Sequence, residues 1–293
     1  MRRGMEERDR GADGLGPASA AARIRSNAFE SSRAALRRGA GALRGSRILI
    51  HPPGIGQPPP RLDVRSGFAQ DPRPAMSTRG YETCLFDLDG TLIDSIALIR
   101  SSYEHALGAH GQAQLSEQEW LEGLGRPLAW QFSRRVSDPA AVDALIRTYR
   151  EHNLAHHDAM VRAYTGALDT LQGLARRGVR LAVVTSKSKA SARRGLALCG
   201  FAELFETVVA LDDCEQHKPA PEPALRALAA LGRTAGSALM IGDSPHDLAC
   251  GRAAGCATAA VGWGPFPSSH LRAERPDHWL ERFDDLLELC ATR

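Results

Sequence analysis

The stretch CLFDLDGTLIDS, residues 84–95, decides the fold of this chain. It begins with an apolar run and then places two aspartates, Asp87 and Asp89, one residue apart, directly before Gly90 and Thr91. Two carboxylates this close repel each other, so the pair needs a proton or a counter-charge. A buried strand that ends in such a pair indicates a functional site at the end of that strand.

Short apolar runs followed by turn residues recur along the rest of the chain. They predict strands over residues 82–86, 180–185, 207–211, 237–241 and 257–261. Helical patterns cover residues 166–178, 190–200, 221–232 and 245–255, and the last three end in glycine. Because strands and helices alternate, we predict an α/β fold with a Rossmann-like parallel sheet covered on both faces.

The first of these helices shows a clear apolar spacing. Its sequence, GALDTLQGLARRG, places Leu168, Leu171, Leu174 and Ala175 on one face. We expect this face to pack against the sheet.

Residues 96–163 interrupt the alternation of strands and helices. Their pattern predicts helices throughout, and no strand candidate appears among them. We therefore expect a small all-helical cap domain with hinges near residues 92–96 and 160–166, and with Trp120 and Trp130 in its core.

The first 75 residues differ in composition from the rest of the chain. They contain 14 Arg, no Lys and 7 acidic residues, so they carry a net charge of +7 and leave −4 for the remainder. The run HPPGIGQPPPR at 51–61 excludes a helix or a central strand. We expect a disordered Arg/Pro/Gly-rich tail, or an untranslated segment if translation begins at Met76. A transit peptide is a third interpretation, which the early acidic residues weaken.

These patterns give a three-part organisation: a tail at 1–75, a Rossmann-like core at 76–95 and 164–293, and a helical cap at 96–163. The six cysteines show no metal-ligand spacing, which favours a reducing compartment. No apolar run approaches the roughly 20 residues that span a bilayer. We expect a soluble cytoplasmic protein without a membrane or nucleic-acid partner.

Polar residues follow four of the predicted strands, in this order: Asp87 and Asp89, Thr185 and Ser186, Lys218, then Asp243 and Asp247. The carboxyl ends of parallel strands share one edge of a sheet, so these residues are expected to converge. Four carboxylates need a cation, and oxygen ligands favour Mg²⁺. A lysine beside Mg²⁺ favours a phosphorylated substrate.

Four motifs, FDLDGTLIDS, VVTSK, HKPAPEP and IGDSPHD, occur in this order. They resemble the motifs of the haloacid dehalogenase superfamily of phosphohydrolases, and the resemblance covers about residues 81–290. It implies that Asp87 is the nucleophile, which forms an aspartyl-phosphate, and that Asp89 is the general acid and then the base. Thr185 would donate a hydrogen bond to the phosphoryl group, and Lys218 would offset its charge.

The same resemblance implies further ligands. Substrate contacts are expected from Gly90, Thr91, Ser186 and, in the loop GLGRPL, Arg126. The expected Mg²⁺ ligands are Asp87, Asp89 through its backbone carbonyl, Asp243 and Asp247. The neighbours His156, His157 and Asp158 make a poor chelate because adjacent helical residues diverge, so we expect solvated or capping groups there.

Single residues disfavour some branches of the superfamily. Asp89 disfavours dehalogenases, and the absence of lysine from residues 96–163 excludes a Schiff-base mechanism in the cap. NLAHHD at 153–158 and the residues around the later motifs resemble the phosphoglycolate phosphatase and pyrophosphatase branch.

The sequence therefore predicts a Mg²⁺-dependent phosphatase for a small phosphomonoester similar to phosphoglycolate. Inorganic pyrophosphatase and sugar-phosphate mutase are the alternatives within the family, and a non-catalytic binding domain is the alternative of a different class. The expected partner is a small phosphorylated substrate, and the protein is expected to be a monomer or a homodimer.

Overall fold

The computed structural model describes residues 80–290. The predictions of a disordered or untranslated segment at 1–75 and of a start at Met76 lie outside the described residues.

The strands alternate with helices along most of the described chain. The strands are β1 Thr83–Phe86, β2 Ile93–Asp94, β3 Arg162–Ala163, β4 Arg180–Val184, β5 Thr207–Val209, β6 Ala238–Gly242, β7 Ala257–Val261 and β8 His278–Leu280. The helices are α1 Ile96–Ala109, α2 Glu117–Gly123, α3 Leu128–Ser133, α4 Pro139–Met160, α5 Ala167–Arg176, α6 Lys189–Leu198, α7 Glu222–Leu231, α8 Pro245–Ala253, α9 Ser268–Ala273 and α10 Leu286–Leu289.

One six-stranded parallel sheet organises the residues from 80 to 290, in the strand order β5-β4-β1-β6-β7-β8. This confirms the predicted α/β fold and all five predicted strands; β8 is an additional edge strand. Strand β1 pairs with β4 on one side and with β6 on the other. The end of β1 therefore lies between the ends of β4 and β6, where the predicted site residues begin.

Helices cover both faces of the sheet, because successive side chains of a strand point to opposite faces. Phe86 of β1 belongs to a buried cluster with Leu171 and Leu174 of α5. Its neighbour Leu85 belongs to a second cluster with Leu228 of α7. The central strand is thus buried from both sides, as a parallel sheet requires.

Helices α6, α7 and α8 end one or two residues before Gly200, Gly232 and Gly255, as the sequence predicts. These three glycines have φ angles of 76°, 64° and 81°. This left-handed conformation suits glycine, since it has no Cβ to clash.

The predicted buried face of α5 is only half right. Leu171 and Leu174 are buried, but Leu168 is 38% exposed and Ala175 is exposed. Ala167 and Thr170 take their places on the buried face. The buried face of the helix is therefore rotated relative to the predicted one.

The insertion between β2 and β3 contributes aromatic side chains to a buried cluster that it shares with residues of α8, β7 and α9. Tyr103, Trp120, Phe132 and Tyr149 are buried together, and the rings of Tyr103 and Phe132 lie 4.7 Å apart. Trp120 is thus buried in this cluster, as expected. Trp130 lies outside it.

The expectation for Trp130 is therefore wrong, because its half-buried ring packs against cations. The guanidinium groups of Arg126 and Arg134 lie 4.9 and 5.0 Å from the ring centroid. Such cation–π contacts are compatible with partial exposure to water.

The prediction that residues 96–163 contain no strand is wrong at their end. Arg162–Ala163 form β3, which pairs antiparallel with Ile93–Asp94 of β2. Two-residue strands carry no periodicity that a sequence could reveal. The ribbon brings the start and the end of the insertion together, which fits the proposed hinges; a separate cap domain at 96–163 stays a prediction.

The 22-residue helix α4 begins at an N-cap whose contribution can be measured. The Asp138 carboxylate accepts a hydrogen bond from the Ala140 N–H at 3.1 Å, and Pro139 occupies the first turn. We expect Asp138→Ala to lower the free energy of unfolding by about 1 kcal/mol in urea denaturation. Asp143→Ala, at an exposed position inside the same helix, is the matched control and is expected to be neutral or stabilising. Equal effects of the two changes would contradict the capping role.

None of the described helices combines the length and the apolar composition that a membrane crossing requires.

Candidate active site

The ends of two neighbouring strands, β1 and β6, deliver the acidic residues to one place. Asp87 follows β1 directly, and its N–H donates to the Ile241 carbonyl of β6 at 2.9 Å. Asp243 follows β6, and Asp247 lies in the first turn of α8. The Ser244 side chain caps that helix, which fixes the position of Asp247 relative to the sheet.

Lys218 lies at the centre of this cluster and is 2% exposed. Its ammonium group donates to Oδ1 of Asp87 at 2.5 Å, to Oδ1 of Asp247 at 2.6 Å and to the Val184 carbonyl at 3.1 Å. An ammonium group has three N–H bonds, so all of them are used. The lysine therefore holds two carboxylates from different elements against the end of β4.

The carboxylates of Asp87, Asp243 and Asp247 are buried, and one oxygen of each lies within 4.8 Å of the others. Oδ1 of Asp243 accepts the Thr91 hydroxyl at 2.8 Å. Oδ2 of Asp247 accepts the Ser244 hydroxyl at 2.6 Å. Three buried acids thus face each other with a single lysine among them.

The pKa values reflect this shortage of positive charge. Burial raises the pKa of Asp87 to about 7, with Lys218 opposing the rise and Asp247 adding to it. Burial, together with repulsion from Asp87 and Asp247, raises the pKa of Asp243 well above its usual range. Burial alone would lower the pKa of Lys218, but its attraction to Asp247 and Asp87 outweighs this and raises it. The three carboxylates are therefore not fully balanced by Lys218 and could bind another cation.

Asp89 lies apart from the three buried acids and has partners of its own. Its Oδ1 accepts the Ser95 hydroxyl at 2.5 Å and the Lys187 ammonium at 2.6 Å. Within residues 80–290, no hydrogen bond reaches its Oδ2. Asp87 and Asp89 therefore have different partners: Asp87 accepts a hydrogen bond from Lys218, and Asp89 accepts one from Lys187.

Glycines allow the backbone to pass close to Asp243. A Cβ added at Gly90, where φ is +86°, would lie 2.6 Å from Oδ2 of Asp243. A Cβ added at Gly264 would lie 2.3 Å from the Asp243 Cβ. The Gly90 N–H donates to the Ile93 carbonyl at 2.9 Å, so a hydrogen bond fixes the turn that lies against Asp243.

A cavity of about 530 Å³ opens over the cluster. Eight of the ten predicted site residues line it, namely Asp87, Asp89, Arg126, Thr185, Ser186, Lys218, Asp243 and Asp247. Gly90 and Thr91 do not lie at its wall in the described part of the chain; the Thr91 hydroxyl is turned to Asp243 instead. Their predicted contacts with the substrate stay predictions.

Three buried polar atoms of cavity residues lack protein partners within residues 80–290: the Ser186 hydroxyl, the Nε of Arg126 and the Nε2 of His157. The Arg126 Nη1 donates weakly to the Lys218 carbonyl at 3.4 Å, and burial lowers the pKa of the guanidinium. The Ser186 hydroxyl and the Arg126 guanidinium are placed to bind a polar ligand.

Two residues of the cavity wall were missed by sequence reasoning. Lys187 follows the predicted Ser186, and its only signal is that it is one of three lysines in the chain. His157 is 1% exposed, so the expectation of solvated groups at residues 156–158 is wrong for it. Its Nδ1 lies 2.8 Å from Asp158, whose carboxylate accepts two hydrogen bonds from Arg194 of α6.

Comparisons with known proteins agree with this geometry. The family model of haloacid dehalogenase-like hydrolases matches residues 84–261. The pyrophosphatase PpaX of Halalkalibacterium halodurans is 40% identical over 211 residues, which cover 72% of this chain and 97% of that protein. The pyrophosphatase PpaX of Anoxybacillus flavithermus is 42% identical over 207 residues, which cover 71% of this chain and 95% of that protein.

Solved structures share the fold. A protein described as a haloacid dehalogenase-like hydrolase from Bacteroides fragilis has a TM-score of 0.66 at 25% identity, covering 70% of this chain and 99% of that one. A predicted phosphoglycolate phosphatase from Haemophilus somnus has a TM-score of 0.63 at 24% identity, covering 71% and 97%. With a family match across most of the described residues and relatives at 40% identity or above, this chain belongs to the haloacid dehalogenase-like hydrolases.

Proposed function

We propose that this protein is a Mg²⁺-dependent hydrolase of inorganic pyrophosphate that works through an aspartyl-phosphate at Asp87. The observation that carries the proposal is the buried cluster of three carboxylates around Lys218, at the floor of the cavity. A carboxylate held by a lysine, at a cavity large enough for a phosphorylated ligand, is the arrangement that nucleophilic phosphoryl transfer needs.

The residues present fit a magnesium ion. The side chains of Asp87, Asp243 and Asp247 offer only oxygen ligands, and the raised pKa values of Asp87 and Asp243 show that one lysine does not balance the cluster. Hard oxygen ligands with incomplete charge compensation suit Mg²⁺. The backbone carbonyl of Asp89 is a further proposed ligand. When bound, the ion would supply positive charge to Asp87 and to the phosphoryl oxygens.

Asp87 and Asp89 take different parts in the proposed reaction. The Asp87 carboxylate forms a bond to phosphorus, while the bond from phosphorus to the leaving oxygen breaks and its electron pair stays on that oxygen. Asp89 donates a proton to this oxygen from its Oδ2, which has no hydrogen bond within residues 80–290. Asp89, now a carboxylate, then takes a proton from water, which attacks the aspartyl-phosphate and releases inorganic phosphate.

The remaining predicted residues would bind the phosphoryl group. Thr185 and the unpartnered Ser186 hydroxyl line the cavity beside Asp87 and would donate to phosphoryl oxygens. Lys218 balances the charge of Asp87 and fixes its position. Arg126 also lines the cavity and would bind the distal part of the substrate through its guanidinium, whose Nε lacks a partner within residues 80–290.

The choice of pyrophosphate rests on the curated relatives. Two pyrophosphatases are 40% and 42% identical to this chain across almost their whole lengths. The phosphoglycolate phosphatase that shares the fold is only 24% identical, so it supports the fold alone. The order of preference drawn from the sequence, with a phosphoglycolate-like ester first, is therefore reversed in this proposal.

A phosphomonoester remains the second candidate because part of the cavity wall is apolar. Ile99, Leu124 and Ile146 line it, and these side chains suit a leaving group that contains carbon. The volume of about 530 Å³ also leaves room beyond a pyrophosphate.

Steady-state kinetics of the purified full-length chain test the proposal. We expect kcat/KM for pyrophosphate with Mg²⁺ to exceed that for phosphoglycolate and for a panel of sugar phosphates by at least about tenfold. EDTA is expected to abolish turnover, and excess Mg²⁺ to restore it. A higher kcat/KM for phosphoglycolate would select the second candidate, and activity that persists in EDTA would contradict the magnesium requirement.

A further inference from the structure

We propose that Lys187 is a specificity-determining residue that contacts the leaving group and selects substrates whose leaving group is anionic. The inference rests on the proposed function, because it assigns the atoms beside Asp89 to the departing half of the substrate. Lys187 has no part in the catalytic and binding roles described above.

The first argument comes from the hydrogen bonds of the two lysines at the cavity. The Lys218 ammonium group uses all three of its N–H bonds on protein oxygens. In the described part of the chain, the Lys187 ammonium group makes one such bond, to Oδ1 of Asp89. Two of its donors therefore remain for a ligand. Lys218 is committed to holding the site together, whereas Lys187 is able to bind substrate.

The second argument is position. The leaving oxygen must come within hydrogen-bond reach of Asp89, which protonates it. Lys187 and Ser95 both occupy Oδ1 of Asp89 and leave Oδ2 open. A leaving oxygen at Oδ2 then lies about 3 to 7 Å from the Lys187 ammonium group, given ordinary hydrogen-bond lengths. A further charged oxygen on the leaving group can then reach that ammonium.

The backbone holds Lys187 in this place from both sides. Its N–H donates to the Thr185 hydroxyl at 3.1 Å, and its carbonyl accepts the Leu211 N–H at 3.0 Å. The side chain is only 11% exposed and lines the cavity. A lysine with little freedom loses little entropy when it binds a charged group, so its contribution to recognition is large.

Arg194 and Arg126 at the cavity are already engaged by other groups, and Arg150, which also lines it, is exposed to solvent. Both ends of the Arg194 guanidinium are paired with Asp158, at 2.8 and 2.9 Å. Arg126 lies against the ring of Trp130 and the Lys218 carbonyl. Lys187 is the cation that directly contacts Asp89, the proposed proton donor, within residues 80–290.

The substrate class follows from these contacts. The leaving group of pyrophosphate is phosphate, which carries charge on oxygens other than the one that is protonated. The leaving group of phosphoglycolate carries a carboxylate. Hydroxyethyl phosphate has nearly the same shape as phosphoglycolate but a neutral leaving group, so an ammonium group at Lys187 would favour it least.

Lys187→Gln tests the proposal in kinetics of the full-length enzyme with Mg²⁺. We expect kcat/KM for pyrophosphate and phosphoglycolate to fall by about a hundredfold, the size found when a donor to a developing charge is removed. The value for hydroxyethyl phosphate should fall much less, and so should that for p-nitrophenyl phosphate, whose leaving group carries no second anionic oxygen for Lys187 to contact.

Two control variants separate contact with substrate from support of Asp89. Ser95→Ala removes the other hydrogen bond to the same Asp89 oxygen but no charge, and Ser95 does not line the cavity. It should lower the activity on pyrophosphate, phosphoglycolate and hydroxyethyl phosphate by similar factors. Lys189→Gln removes a lysine two residues away that pairs with Asp213 and faces away from the cavity wall. It should leave all four substrates unchanged.

The outcomes distinguish a failure of the proposal for Lys187 from a failure of the proposed function. If Lys187→Gln loses activity equally on charged and neutral leaving groups, as Ser95→Ala should, Lys187 only positions Asp89 and the proposal is wrong. Unchanged kinetics in Lys187→Gln would also overturn it. If the wild-type protein hydrolyses none of the four substrates, the proposed function itself fails, and the proposal falls with it.

Discussion

Replacing Asp87 with Asn is expected to lower kcat for pyrophosphate by about 10⁴-fold or more, because the amide cannot form the phosphoryl bond. The carboxylate lies at the end of the central strand, 7% exposed, with its Oδ1 on the Lys218 ammonium group. An amide oxygen can still accept that hydrogen bond. Steady-state and single-turnover assays with Mg²⁺ would measure the loss in both the first and the later turnovers.

The same substitution is expected to leave the fold intact. It removes one of three mutually repelling carboxylates, while Lys218 keeps its ion pair with Asp247. Thermal unfolding should therefore show a Tm close to or above that of the wild type. Asp169→Asn, at an exposed position in α5, is the matched control and should retain full activity. A kcat for Asp87→Asn within tenfold of the wild type would rule out Asp87 as the nucleophile.

Replacing Lys218 with Met is expected to lower the free energy of unfolding by about 3–5 kcal/mol, as removal of one partner from a buried ion pair does. The variant leaves Asp87, Asp243 and Asp247 buried together without a cation, and turnover should be lost as well. Urea denaturation in EDTA gives the stability, and added Mg²⁺ should recover part of it, since the ion binds only the folded cluster.

The control for this prediction is another lysine of the same chain. Lys189 pairs with Asp213 at 2.6 Å, but both side chains are partly exposed. Lys189→Met should cost at most about 1 kcal/mol, because solvent already screens the pair. Lys218→Arg, which keeps the charge, should be more stable than Lys218→Met. Equal stabilities of Lys218→Met and Lys189→Met would show that the buried carboxylates do not depend on Lys218.

The sheet could be predicted from the sequence because its strands are short apolar runs with helices between them. The convergence of Asp87, Lys218, Asp243 and Asp247 also follows, since parallel strands bring their carboxyl ends to one edge. Strand β8 could not be predicted in this way. Its three residues, His278–Leu280, include a half-buried His and a half-buried Trp, so they lack a continuous apolar run.

The partners of individual side chains in the site were less accessible to sequence reasoning. The ion pair of Lys187 with Asp89 joins two loops that are 98 residues apart, and neither loop has a periodicity that sets side-chain direction. His157 was expected to be a solvated or capping group because it lies near the end of a helix, yet it is 1% exposed, and the divergence of helical neighbours turns Asp158 outward. Helical spacing predicts the angle between the two side chains but not which of them points to the protein interior.

The most direct measurement is to identify the phosphorylated residue after an acid quench of the enzyme mixed with Mg²⁺ and radiolabelled pyrophosphate. The proposed mechanism predicts a label that is stable in acid, labile in base and confined to the peptide that contains Asp87. The label should be absent from Asp87→Asn. A label on any other residue, or turnover with no labelled protein at any quench time, would contradict the aspartyl-phosphate mechanism.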